Sequence, residues 1–205
     1  MKKILLGLAI ASTMATFGCA AKGGIEPVQA QACYEGAPNW VIMGQAEGGV
    51  SAMGSAPLSA AGINHSRTEA LANARTEIAR QMGLKVSNMV KTFTQTTGIG
   101  DAQTVDKVTS DITRQLTNQT ITGSKQVDAW IPKNKECQEI FVLVAVDAAA
   151  FEKELKAQAT TSFKNEQALW QQIQAKNAME EMDKAIKDTM NSTNKELEEK
   201  LNGGN

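Results

Sequence analysis

Apolar and polar positions change their spacing several times along the 205-residue chain, and each change marks a boundary. Lys2 and Lys3 open it, an apolar run from Ile4 to Phe17 follows, and Gly18 and Cys19 close the run. A basic end, a short apolar stretch and a small residue make an export leader, too short to span a bilayer. Residues 20 to 37 are rich in Ala, Gly, Gln and Pro and lack an apolar period, the composition of a flexible tether. Pro38-Asn39-Trp40-Val41-Ile42-Met43 reads as an edge segment, because proline cannot sit in a central strand. Gly48-Gly49 break it. Val50 to Ala56 then reads as a short strand ended by Pro57, in which Gly54 and the alanines let another element approach closely.

The clearest helix begins at Ser66-Arg67-Thr68-Glu69, a serine with glutamate three residues on, the spacing of a capping box. Leu71, Ala74, Ile78, Met82, Val86, Met89 and Phe93 recur at three- and four-residue steps and share one face. Gln95 to Gly100 interrupt the stripe, with Gly98-Ile99-Gly100 as linker. Asp101 caps a second helix carrying Val105, Val108, Ile112 and Leu116. From Thr120 the period becomes two, with Ile121, Gly123, Lys125, Val127, Ala129 and Ile131 on one side, a half-exposed strand. After a turn at Pro132 to Lys135, Cys137 to Asp147 reads as a strand apolar on both faces from Ile140 to Val146, which belongs in the middle of a sheet.

Phe151 to Leu201 is helical in composition, with no proline or glycine before Gly203 and a broken stripe that includes Met179, Met182, Ile186 and Met190. These four are candidate contacts with a partner helix or a second copy; the alternative is that the helix folds back on its own domain. The expected fold is α+β: a small three-stranded antiparallel sheet packed against a long helix, in the order strand-helix-helix-strand-strand, followed by a long C-terminal helix. The expected divisions are a leader over 1–18, a tether over 19–37, one α+β domain over 38–150 and a helical extension over 151–205. The open edges of so small a sheet favour assembly, with another copy or with an envelope protein.

Composition narrows the function. A net charge of -1 gives no electrostatic footprint for nucleic acid. Aromatics make up 4% of residues and methionines number nine, so the core is aliphatic and stacking platforms are scarce. A cysteine directly after the small residue of the leader points to lipid attachment, which leaves an acylated Cys19 and a body tethered to a bacterial membrane. Thr16 stands where such a signal usually carries an aliphatic residue; plain secretion with cleavage after Ala30-Gln31-Ala32 is the other reading. With Cys19 acylated, Cys33 and Cys137 are an even pair in an oxidising compartment: one disulfide, or two buried thiols.

Chemistry-bearing constellations are sparse. One histidine, His65, cannot build a transition-metal cluster, so no metal or cofactor is expected. Asp106, Asp111 and Asp128 supply carboxylates for acid-base work, but their periodicity puts them on solvated faces, and no enzyme is expected. Trp40 and Trp130 either line a binding surface, such as the mouth of a pocket for a small apolar ligand, or cap the edges of the sheet.

Pro38-x-Trp40, Gly54-Ser55-Ala56 ahead of the helix, Ala70-x-x-x-Ala74-Arg75-x-x-Ile78-Ala79 within it, Trp130, and Val142-Leu143-Val144 on the last strand resemble a known group. This is the membrane-associated lipoprotein family typified by the twenty-kilodalton Helicobacter-type surface lipoprotein, which also includes the flagellar basal-disc lipoprotein. The resemblance covers residues 38 to 150. It implies a dodecin-like strand-helix-strand-strand module without enzyme activity, in a family whose members look like ring or disc builders at the outer membrane.

Overall fold

The computed structural model describes residues 32–46 and 50–202. In chain order it contains α1 (Asn39–Met43), β1 (Val50–Pro57), α2 (Ile63–Thr97), α3 (Ala102–Gly123), β2 (Lys125–Trp130), β3 (Glu139–Val146), α4 (Ala148–Asn165), α5 (Gln167–Ala175) and α6 (Met179–Asn202). The sheet is antiparallel, with β3 between β1 and β2. β3 takes the centre because its side chains find apolar cover on both sides. Ile140, Val142 and Val144 enter the main core, whereas Phe141 and Leu143 join a second cluster on the opposite face.

α2 covers the inner face. Its buried residues, Ser66, Ala70, Ala74, Ile78, Met82, Val86, Met89, Val90 and Phe93, follow the spacing of a single stripe. The approach is close because Gly54 of β1 has no side chain: a Cβ there would collide with the Ala70 carbonyl and the Ala74 amide and lie 2.9 Å from Ala74 Cα. A 35-residue helix is about 52 Å long, roughly twice an eight-residue strand at about 27 Å. Half of the stripe therefore needs other cover. α3 and α6 pack on α2, and α4 packs on α3, α5 and α6. Phe93 of α2 meets Phe163 of α4 edge to face, with ring centroids 5.3 Å apart.

Several boundaries differ from those expected. The edge segment after Pro38 is the short helix α1, ended by Gly44 at φ 76°. α2 starts after Gly62 without a side-chain cap; Ser66 is buried inside the helix, where its hydroxyl accepts the Ser59 amide at 3.1 Å, so the capping box does not form. α3 runs on to Gly123, which takes Ile121 and Gly123 out of the strand. β2 begins at Lys125 and has a bulge between Gln126 and Asp128 that leaves Val127 unpaired and 57% exposed. Asp101 does cap α3, its carboxylate accepting the Thr104 amide at 3.0 Å.

The stretch from Ala148 to Asn202 is three helices and not one. Glu166 interrupts it with non-helical backbone, and Asn177, at φ 50°, turns the chain in the left-handed region that asparagine tolerates. Phe151, Leu155, Ala159, Phe163, Leu169, Ile173, Met182 and Ile186 belong to the same buried cluster as β1, β3 and α2. Residues 151 to 191 are thus part of the domain's core rather than an extension from it. Lys176, in the turn before α6, donates to the Thr97 carbonyl at 2.8 Å and so caps the C-terminus of α2.

Candidate functional site

The outer face of the sheet gathers both tryptophans and Asp128. Phe141 and Leu143 point outward from β3 and are covered by Trp40 and Val41 of α1, with Met53 and Trp130 packed at the sides. Trp130 lies against Phe141 with the rings tilted at 46° and their centroids 5.4 Å apart. The Trp40 indole N–H donates to Asp128 Oδ2 at 2.8 Å, and Asp128 Oδ1 accepts the Ala129 amide at 2.8 Å, so both oxygens are engaged. Trp40 and Trp130 therefore help to fill this cluster.

Ahead of α1, Cys33 and Cys137 form a disulfide with Cα atoms 5.6 Å apart. Tyr34 meets Phe141 edge to face at 5.9 Å. The final residues of the expected tether are thus fastened to the sheet. Residues 32 to 46 form a strap: disulfide, Tyr34, α1, then a loop whose Gly44 carbonyl accepts the Met53 amide at 2.7 Å and whose Ala46 exchanges hydrogen bonds with the Ser51 hydroxyl. Beside the disulfide lies a cleft of about 480 Å³ lined by Cys33, Tyr34, Pro132, Glu136, Glu139 and Phe141, among others.

The remaining candidates do not converge. Asp111 pairs with Arg114 on α3 at 2.8 Å, whereas Asp128 is held by Trp40 on the sheet. Where titration is displaced, local partners explain it. The Arg80 guanidinium, by hydrogen bond, lowers Glu77, while Glu77 raises Arg80. The Thr104 amide lowers Asp101, and Glu166 raises Lys107 by hydrogen bond. Among the described residues no group of three His, Cys, Asp or Glu side chains is placed to hold a metal ion. Met182 and Ile186 are buried in the chain's own core, and Met179 and Met190 pack against it, so this stripe is used internally. Cys19 lies outside the described residues.

Sequence reasoning missed Tyr34 and the role of Asp128. Its own reading of β3 held the signal: a strand apolar on both faces needs two covers, and the α2 stripe supplies one.

No curated protein matches the chain. A protein-family model does, the one described as LPP20 lipoprotein, over residues 38–147. The match starts at the proline that precedes α1 and stops one residue past β3, taking in both tryptophans, the Gly54 contact and all three strands. More than half of the sequence is spanned, and the chain belongs to the LPP20 lipoprotein family.

Proposed function

We propose that this protein is a lipid-anchored component of the bacterial outer membrane with a structural, non-catalytic role, assembling with further copies or with another envelope protein. Membership of a lipoprotein family carries the reading. The leader ending in Gly18-Cys19 supplies the chemistry, since a diacylated cysteine holds a soluble body at a membrane surface. The inner face of the sheet is filled by side chains of α2, which favours a scaffold over a binding protein for a small apolar ligand. The displaced titrations belong to surface pairs and a helix cap rather than to a catalytic cleft, which also favours a non-enzymatic role.

The test has two arms. Mass spectrometry of the purified native protein is expected to find an acylated Cys19 at the N-terminus, and Cys19→Ser is expected to move the protein from the membrane to the soluble fraction. Light scattering on the Cys19→Ser protein is expected to give a multiple of the monomer mass, or a defined complex once envelope extract is added. An intact Met1 on cytosolic protein overturns the anchor. A strict monomer that binds nothing in the extract overturns the assembly role.

A further inference from the structure

We propose that the Cys33–Cys137 disulfide is a reducible latch that keeps the strap of residues 32 to 46 on the outer face of the sheet, and that opening it bares an apolar surface. Besides the bond, the strap is held by a short helix and a few contacts. α1 has five residues, far below the length at which a helix persists unaided, and buries only Trp40 and Val41. Beyond that there are the Trp40–Asp128 hydrogen bond, the Tyr34–Phe141 ring contact and the bonds of Gly44 and Ala46 to β1. What the strap covers is the opposite kind of surface: Phe141 and Leu143, buried at 3% and 4% exposure, flanked by Met53 and Trp130. The bond ties this segment to the turn leading into the central strand, the most firmly seated element of the sheet.

The two cysteines differ in exposure. Cys33 is half-buried beside the cleft, whereas Cys137 is 9% exposed. A dithiol reductant, as its thiolate, attacks Cys33 Sγ; the S–S bond breaks and Cys137 leaves as a thiolate that takes up a proton. The second thiol of the reductant then displaces Cys33, and the reductant closes to its own disulfide. Two electrons and two protons pass to the protein, which ends with two thiols. Cys33 lies outside the family match and Cys137 inside it, so the bond ties residues ahead of the matched stretch to the shared domain.

One consequence rests on the lipid-anchored reading. With the latch closed, the chain from Cys19 to Cys33 reaches about 50 Å at full extension; open, it reaches to Val50, about 110 Å. Reduction thus about doubles the greatest distance from the membrane that the body can reach.

Hydrogen exchange on the full-length Cys19→Ser chain, with and without a phosphine reductant, tests the latch without involving the lipid. The probes are the amides of Val41, Gly44 and Met53, which bond to Pro38, Trp40 and Gly44. Reduction is expected to speed their exchange about tenfold or more while amides around Ile78 in α2 stay protected, a local opening. Cys33→Ser is expected to reproduce the reduced pattern without reductant. Unchanged probes in protein shown by mass to be reduced overturn the proposal. Loss of protection in α2 together with the probes overturns it too, because the bond would then hold the core and not a strap. Either result leaves the acylation of Cys19 to be decided separately.

Discussion

Replacing Gly54 by alanine sets a local gain against a collision, and magnitudes decide between them. In a strand the change recovers about 0.5–1 kcal/mol of backbone entropy. Against this, the new Cβ meets the Ala70 carbonyl and Ala74 amide of α2 and lies 2.9 Å from Ala74 Cα. Carbon atoms rest comfortably about 3.5–4.0 Å apart, so α2 has to withdraw by about 1 Å, and backbone atoms cannot rotate aside. A gap of that size forfeits about a quarter to a half of each dispersion contact along it. The contacts at stake are those between α2 and the sheet, in the cluster that holds Ala70, Ala74, Ile78, Ala52, Ala56, Ile140 and Val142. Overpacking costs about 1–3 kcal/mol, and a backbone obstruction belongs at the top of that range. The net is a loss of about 2 kcal/mol. In urea, with a slope near 2 kcal/mol/M, the midpoint falls by about 1 M with the slope unchanged. The melting temperature falls by about 4–8 °C. Gly83→Ala, inside α2, is the control: its Cβ lies 3.6 Å from Thr113 Cγ2, an ordinary contact, so helix propensity stabilises by about 1 kcal/mol. A Gly54→Ala protein as stable as its parent, or a Gly83→Ala protein as damaged as Gly54→Ala, refutes the close-packing argument.

Leu155→Ala and Ile186→Ala, in α4 and α6, each remove a buried side chain and are expected to cost about 2–5 kcal/mol in the same urea assay; near-neutral values would mean that these helices do not share the core. The Asp101 carboxyl is held below its ordinary range, first by the Thr104 amide and then by the Thr104 hydroxyl. A lowered folded pKa stabilises above the unfolded value and is lost as pH falls through the folded one. The melting temperatures of the parent and Asp101→Asn are therefore expected to differ at neutral pH and to converge in strong acid; a difference that persists unchanged there would refute the cap's ionic character. Val127→Lys, at the exposed bulge of β2, is expected to change stability by less than about 0.5 kcal/mol, as read by thermal melts; a larger loss would show that Val127 is packed.

The parts of the fold legible in the sequence were those written in one strong local pattern. The α2 stripe, the Asp101 cap and the two-sided β3 each follow from spacing alone, and the need for Gly54 to be small followed from its neighbours. Three features were hidden for physical reasons. Ser66-x-x-Glu69 has capping-box spacing, but the burial of Ser66 and its bond to Ser59 start the helix earlier, at Ile63. α1 and a short strand share the composition Trp-Val-Ile-Met, and the cover required by Phe141 and Leu143 decides for a helix. The break at Asn177 carries neither proline nor glycine, and what places α6 is the uncovered half of α2. Of the candidate site, the tryptophans and the cysteine pair were visible as residues, but their union in one strap depends on Asp128 and Tyr34, which no local pattern marks.

The length of α2 has one more consequence. Comparison recognises a stretch that ends at residue 147, yet Val86, Met89, Val90 and Phe93 share a buried cluster with side chains that come after it. A fragment trimmed to the recognisable stretch would leave that end of the rod wet and greasy, and it would clump or unravel rather than report on the native protein. What is inherited as a signature is shorter here than what folds, and experiments on this protein should keep its tail.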